Sequence, residues 1–316
     1  MPAATRRHVL GLGTVLATGL ASGLPNSAAG QESAAPAAAP AALLRKPIPS
    51  SGERIPVIGL GSARRYEEAR TEEDRAPLRD TFRRFHALGG TVLDTAPSYG
   101  GAEAIMGGLM ADLSIRPALF VATKVGADNP EQGRAQIEQS FRDLRTDRID
   151  LLAVHNLRDI ANQLAILREM KAAGRVRYVG ATTSFDRQYA DFEAMMRREA
   201  LDSIQIDYAM DNRNAGERII PLARERGMAV FVNLPFGRGT LFRATQNKPL
   251  PEWAAEFDCT SWAQFFLKWI VSHEAVTCAV PGMAQARYVD DNLGAATGRL
   301  PDAAMRRRME QHIDAL

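Results

Sequence analysis

Cysteine is scarce in this sequence of 316 residues, which contains only Cys259 and Cys278. Two thiols cannot supply a disulfide framework or a zinc site made of four thiolates. The pair could form one disulfide in an oxidising compartment, or both could be buried free thiols. The sequence favours free thiols, because Cys278 falls in a predicted strand, where a thiol behaves as a small apolar side chain.

Excess charge is also lacking, since 39 Lys and Arg residues face 37 Asp and Glu residues, a formal net charge of +2. A protein that binds nucleic acid through its phosphates usually has a clear basic excess, so we expect no nucleic-acid partner. The five histidines do not have the spacing of metal ligands, and we expect no metal site. A hydrophobic content of 46% excludes a chain that is disordered or collagen-like as a whole.

The first 29 residues contain Arg6 and Arg7 but no acidic residue. An apolar stretch from His8 to Leu24 follows, and it is too short and too rich in glycine for a stable membrane span. Ser27-Ala28-Ala29 then supplies small residues of the kind that signal peptidase cleaves.

This order resembles a twin-arginine export signal. It predicts a signal peptide over residues 1–29, the twin-arginine translocase as a partner and a periplasmic location in a bacterium. Residues 30–43, rich in Ala and Pro, are predicted to be a flexible linker, followed by one folded domain over residues 44–316. Removal of residues 1–29 would leave a formally neutral chain. The alternative, an N-terminal helix of the folded domain, is disfavoured because the segment has no polar face.

Short apolar or β-branched runs alternate with helical patterns from residue 55 onward, as in a series of βα units. The eight predicted strands are 55–60, 91–94, 119–123, 149–154, 176–181, 203–207, 229–233 and 276–280. This pattern indicates an α/β fold, a (β/α)8 barrel. A doubly wound sheet is the alternative, but no Gly-x-Gly-x-x-Gly motif follows a strand. The longer gap before the eighth strand contains the segment Pro235–Asp258, predicted to be a functional loop.

Polar residues end three consecutive predicted strands: Asp94 the second, Lys124 the third and His155 the fourth, with Tyr99 shortly after Asp94. The carboxyl ends of barrel strands form one mouth, so these side chains should lie together. An ammonium beside a phenol favours the ionised phenol, and we predict that the pKa of Tyr99 falls below about 10. Tyr99 is then a candidate general acid, and His155 a group that orients a carbonyl oxygen.

These four residues, in this order, resemble the catalytic tetrad of the aldo-keto reductases, and the resemblance extends from about Arg45 to the end of the chain. It implies a (β/α)8 TIM barrel with a short N-terminal β-hairpin and no Rossmann motif. It also implies reduction of a small aldehyde or ketone to an alcohol with NADP(H), or with NAD(H), in which Tyr99 donates the proton. The alternative is an exported NADP(H)-binding barrel that acts as a redox sensor or scaffold with little turnover, and the intact tetrad argues against it.

The resemblance further implies which residues bind the cofactor. Segments similar to the family's first-strand turn, its nicotinamide-amide contacts and its adenine site contribute most of them. The full set is Gly61, Ser62, Asp94, Thr182, Thr183, Gln205, Asn233, Leu234, Phe236, Arg238, Gly282, Arg287, Asp291 and Asn292.

Two positions depart from the family's pattern. Asn233 stands where many members have an aromatic residue, and Ala284 stands where an Arg or Lys often binds the 2′-phosphate of NADPH. Arg238, Arg243 or Arg287 could replace that cation, so the preference between NADPH and NADH stays open. Substrate specificity is expected to come from the loop 235–258, with Phe236, Phe242 and Trp253.

Overall fold

The computed structural model describes residues 42–316, so the predicted signal peptide and nearly all of the predicted linker lie outside the described residues. Ten strands form a two-stranded antiparallel hairpin and an eight-stranded parallel sheet in sequence order. The hairpin strands are β1 (Arg45–Pro47) and β2 (Arg54–Pro56). The parallel strands are β3 (Leu60–Gly61), β4 (Val92–Asp94), β5 (Phe120–Val125), β6 (Ile149–His155), β7 (Val176–Thr182), β8 (Ser203–Asp207), β9 (Ala229–Asn233) and β10 (Cys278–Ala279).

The sheet closes into a barrel where β3 meets β10. The Gly59 N–H donates to the Ala279 carbonyl at 2.8 Å, and the Gly61 N–H donates to the Pro281 carbonyl at 2.9 Å. A Cβ on Gly61 would lie 2.7 Å from the Val280 carbonyl oxygen, so this seam requires glycine. The predicted (β/α)8 barrel and the implied hairpin are both confirmed.

The predicted first strand, 55–60, is wrong as a single element. Its first part is β2, which pairs with β1 in the hairpin, and only its last residue belongs to barrel strand β3. An apolar run shows that residues are buried but not that the chain turns within the run. Here Ile55 packs inside the barrel at its amino-terminal end, whereas Leu60 packs between the sheet and the surrounding helices.

Helices follow the barrel strands and cover the outside of the sheet. They are α1 (Glu72–Ala87), α2 (Ala102–Asp112), α3 (Pro130–Asp143), α4 (Ile160–Ala172), α5 (Tyr189–Arg198), α6 (Ile219–Glu225), α7 (Thr240–Ala244), α8 (Trp262–Val271), α9 (Ala286–Gly294) and α10 (Ala303–Asp314). The predicted loop 235–258 contains α7 and a 3-10 helix, Glu252–Phe257. None of the helices within residues 42–316 is long and apolar enough to cross a membrane.

The apolar core has an inner and an outer part. The inner part fills the barrel and contains Cys278, with Phe120 stacked on Tyr178 at a ring-centroid distance of 5.9 Å. The outer part lies between sheet and helices and contains Cys259. Both cysteines are buried and free, which confirms the free-thiol prediction, and burial raises the pKa of each thiol.

Candidate active site

A buried ion pair lies at the centre of the barrel mouth. The Lys124 Nζ is 2.9 and 3.0 Å from the two Asp94 carboxylate oxygens and also donates to the Thr95 carbonyl at 2.7 Å. Lys124 is only 2% exposed and Asp94 7%. Burial by itself lowers the pKa of Lys124, but Asp94 and Tyr99 outweigh that effect and raise it above its ordinary value. Lys124 therefore remains charged.

Gln205, at the centre of β8, holds this pair in place from the opposite side of the barrel. Its Nε2 donates to the Asp94 Oδ1 at 2.9 Å, and its Oε1 accepts from the Thr182 hydroxyl at 3.3 Å. The tetrad carboxylate thus has partners from β5 and β8, which fix its orientation. Such support from neighbouring side chains is what a site needs to keep its geometry during a reaction.

Tyr99 stands beside this pair, in the loop after β4. Its ring centroid is 5.5 Å from the Lys124 Nζ and 6.2 Å from the His155 ring, which meets it edge-on at 84°. The predicted fall in the pKa of Tyr99 is wrong. Lys124 does lower that pKa, but burial and the Asp94 and Glu67 carboxylates together raise it above its ordinary value. The phenol is therefore protonated at neutral pH, the form that a proton donor requires.

His155, the last residue of β6, is a neutral imidazole in this site. Burial, followed by the charges of Lys124 and Arg158, lowers the pKa of His155 to about 3. Its Nδ1 lies 3.4 Å from the Ser98 hydroxyl, a long contact that leaves the ring orientation weakly constrained. A neutral imidazole in this place can donate a hydrogen bond to a carbonyl oxygen.

A groove runs along the mouth from the tetrad to the segment after β10; we call it the mouth groove. Its first part, about 330 Å³, is lined by Asp94 and Tyr99 together with the turns after β3 and β9. Its second part, about 420 Å³, lies between α8 and α9 and includes Asp291 and Asn292. Phe236, Phe242 and Gly282 line both parts, so the groove is continuous.

Two polar atoms on the wall of the groove are buried without a hydrogen-bond partner in the described part of the chain: the Ser62 hydroxyl and the Asn233 Oδ1. A buried polar group left unpaired costs stability, so each such atom calls for an explanation, of which a bound ligand is one. Both residues were predicted to bind a cofactor, and an elongated groove with unpaired polar atoms near Tyr99 fits a nicotinamide dinucleotide. The donor set therefore suits the cofactor that the family resemblance implies.

The turn after β9 has an unusual backbone. Leu234, Gly237, Arg238 and Gly239 all have a positive φ, and two of these four residues are not glycine. A left-handed backbone at a residue with a side chain costs free energy and is concentrated at functional sites. The turn places Asn233, Phe236 and Arg238 on one wall of the groove.

Most of the predicted cofactor residues line the groove. They are Gly61, Ser62, Asp94, Asn233, Leu234, Phe236, Arg238, Gly282, Asp291 and Asn292. Gln205 is buried behind Asp94, and the Thr183 hydroxyl donates to Gln188 at 2.5 Å. Arg287 lies over the ring of Tyr288, 5.0 Å from its centroid, and does not line the groove.

The sequence prediction missed several groove residues and misplaced one. Arg64 and Tyr288 line the groove and were not predicted. Arg64 comes two residues after Ser62, which was predicted, but nothing in the sequence marks its side chain as facing a cavity. Trp253, expected to contribute to specificity, packs against Phe265 and His312 in the outer core.

The part of the chain that the structure describes has no cluster of side chains suited to bind a metal ion. Residues 42–316 contain no group of three or more His, Cys, Asp or Glu side chains that could hold an ion.

Comparisons with known proteins agree with this geometry. The model of the aldo/keto reductase family matches residues 57–313. The chain is 25% identical to the aldo-keto reductase str7 of Strobilurus tenacellus over 297 residues, 80% of this chain and 86% of that protein. It is 26% identical to an NADH-specific methylglyoxal reductase of Escherichia coli (strain K12) over 287 residues, 73% of this chain and 86% of that protein.

Solved structures show the same fold. An aldo-keto reductase from Klebsiella pneumoniae in complex with NADPH superposes with a TM-score of 0.70 at 21% identity. The alignment covers 83% of this chain and 92% of that protein. At this identity the likeness supports the fold alone.

Proposed function

The chain belongs to the aldo/keto reductase family, and from that premise we propose that it reduces an aldehyde or ketone to an alcohol with NADPH or NADH, with Tyr99 as the proton donor. The observation that carries this proposal is the position of Tyr99. A protonated phenol lies on the wall of the mouth groove, with a buried, charged Lys124 5.5 Å from its ring.

The roles of the chain's own groups follow from their protonation states. Tyr99 holds a proton that it can give to the carbonyl oxygen, and the Lys124 charge stabilises the phenolate that remains. His155, neutral because its pKa is about 3, donates a hydrogen bond that orients the same oxygen. Asp94 keeps Lys124 in position, and Gln205 keeps Asp94 in position. Once bound, the cofactor supplies the hydride that the carbonyl carbon accepts.

The mouth groove supports the cofactor part of the proposal. Ser62 and Asn233 would hold the nicotinamide half, and Asp291 and Asn292, in the second part, the adenosine half. One relative is described as NADH-specific, whereas one structural neighbour contains NADPH. We propose NADP(H) as the cofactor and NAD(H) as the alternative. Measuring the dissociation constants of NADPH and of NADH from the protein would decide between them.

The experiment that tests the proposal is the variant Tyr99→Phe. Wild-type protein should oxidise NADPH or NADH in the presence of methylglyoxal or another member of an aldehyde and ketone panel. Loss of the hydroxyl should lower kcat by about 10²- to 10⁴-fold, because only the proton donor is removed. The dissociation constant of the cofactor, measured by quenching of protein fluorescence, should stay the same.

Tyr178→Phe is the matched control, because its hydroxyl bonds to Ser51 and Glu53 at the other end of the barrel. This variant should keep the wild-type rate. Equal rates for Tyr99→Phe and the wild type would refute the role of Tyr99. A wild-type protein that binds the cofactor and reduces no carbonyl would favour the redox sensor or scaffold.

We also propose, on sequence grounds alone, that the chain is exported to the bacterial periplasm by the twin-arginine translocase. Arg6 and Arg7, the apolar stretch after them and the small residues up to Ala29 support this. Residues 1–43 fused to a reporter should direct it to the periplasm, and replacing both arginines by lysine should abolish export. Export that persists in a host without the translocase would contradict the proposal.

A further inference from the structure

Arg64 is a cation on the wall of the mouth groove. It follows strand β3 and lines the part of the groove that also contains Asp94 and Tyr99. Within residues 42–316, no carboxylate lies within 4.0 Å of its guanidinium, although twenty ion pairs form elsewhere in that region. Of the charged residues that line this part of the groove, Asp94 is paired with Lys124, and the other two, Arg64 and Arg238, are both positive.

The backbone holds Arg64 in a conformation that needs support. Its φ is +73°, in the left-handed region, and its N–H donates to the Glu67 Oε1 at 2.7 Å. The Glu67 N–H in turn donates to the Arg64 carbonyl at 2.9 Å. Glu67 thus closes a turn around the Arg64 backbone, and a strained residue held in this way at a cavity wall suggests a functional role.

This turn packs directly against the loop that carries Tyr99. The Gly101 N–H donates to the Glu67 carbonyl at 3.4 Å, and a Cβ on Gly100 would lie 3.2 Å from the same oxygen. Strands β3 and β4 are neighbours in the barrel, so the two loops share one side of the mouth. Arg64 therefore lies on the side of the mouth that carries the proton donor.

Arg238 lines the same part of the groove from the loop after β9, two strands away from β3 around the barrel. Its turn carries Phe236, which lines both parts of the groove. A dinucleotide that reached from Tyr99 to Asp291 would pass this turn, and Arg238 would then face its phosphates. Arg64, whose turn packs against the loop of Tyr99, would be left to meet a second anion.

We propose that Arg64 binds a carboxylate on the carbonyl substrate, so that the preferred substrates are oxo acids rather than neutral aldehydes or ketones. The inference rests on the proposed reductase function and adds the class of substrate. A guanidinium binds a carboxylate through two parallel hydrogen bonds, which fix the direction as well as the position of the ligand. The carbonyl carbon gains the hydride from the cofactor, the oxygen gains the proton from Tyr99, and the carboxylate is unchanged.

The test compares 4-oxobutanoate with its methyl ester, two aldehydes that differ in one negative charge. For the wild type, kcat/KM should be at least about ten-fold higher for the acid. Arg64→Gln should raise the KM of the acid about ten-fold or more and leave the KM of the ester unchanged. The KM of the acid should also rise with salt in the wild type and respond less to salt in the variant.

Arg83→Gln is the matched control, because Arg83 lies on the exposed face of α1, pairs with Asp80 at 2.6 Å and is not among the residues that line the mouth groove. This variant should leave both KM values unchanged. The dissociation constants of NADPH and NADH, measured by fluorescence without substrate, should be the same in Arg64→Gln and the wild type.

Any other result would contradict either the carboxylate site or the proposed function. An equal change for acid and ester, or no change for either, would refute the carboxylate site. Weaker cofactor binding in Arg64→Gln would instead assign Arg64 to the phosphates of the cofactor. A wild type that reduces the ester with no preference for the acid refutes this inference and keeps the proposed function, whereas a wild type that reduces no carbonyl refutes both.

Discussion

At the amino-terminal end of the barrel, Ile48 and Ile55 of the hairpin pack into the interior and the buried Asp150 carboxylate is paired. At the carboxyl-terminal end, the strands open into the mouth groove. Asp150, 3% exposed, accepts hydrogen bonds from Arg177 and from the Val121 N–H, and it also pairs with Arg116. A buried carboxylate such as this one stabilises the fold when its oxygens accept hydrogen bonds from neighbouring groups.

The mouth is built differently. Five buried side-chain atoms in the described part of the chain have no partner, and three of these, on Ser62, Thr95 and Asn233, lie at or just after the ends of barrel strands. The left-handed residues of the turn after β9 lie at the same end. The comparison indicates that the buried acceptor at the amino-terminal end is bonded within the protein, whereas within residues 42–316 three buried polar atoms at the mouth are left unpaired, at the end where we propose that a ligand binds.

The largest expected effect comes from Lys124→Met, which removes the positive charge that pairs with the buried Asp94. Breaking a buried ion pair from one side costs about 3–5 kcal/mol, so the free energy of unfolding should fall by that amount. The rate of carbonyl reduction should also fall, because the charge beside Tyr99 is lost. Urea unfolding and the rate per folded molecule measure the two effects separately.

Asp150→Asn is the counterpart at the other end. It should also lower the free energy of unfolding, by about 2–4 kcal/mol, because Arg116 and Arg177 lose their charged acceptor. Its rate per folded molecule should equal that of the wild type. A large loss of rate in Asp150→Asn would mean that the two ends are coupled and that their division of roles is wrong.

The sequence was sufficient to predict the features that depend on order and period. Eight alternating runs predicted the barrel, and strands ending in Asp94, Lys124 and His155 predicted the residues of the mouth, because parallel strands bring their carboxyl ends to one edge. The tetrad could be placed without knowing any distance, since strand order alone brings these residues together.

Other features depend on quantities that a sequence does not contain. The pKa of Tyr99 is a balance between Lys124 and the opposing effects of burial and carboxylates, and its sign requires depths and distances. The split of residues 55–60 between hairpin and barrel depends on a bend that apolar periodicity does not show. Arg64 was missed because an exposed arginine in a turn resembles any other until its cavity is known.

Ser62→Ala should have the smallest effect on stability, and it gives the most direct test of the contrast between the two ends of the barrel. In Ser62→Ala the lost hydroxyl has no hydrogen-bond partner within residues 42–316, so the free energy of unfolding should change by less than about 1 kcal/mol, or even rise. Cofactor affinity should nevertheless fall about three- to ten-fold, the effect of one hydrogen bond. Ser140→Ala is the control, since its hydroxyl bonds to Glu103 at 3.1 Å inside the protein. That variant should lose about 1–2 kcal/mol and bind the cofactor normally. The reverse result, a destabilised Ser62→Ala with unchanged affinity, would show that the unpaired hydroxyl at the mouth serves the fold and not a ligand.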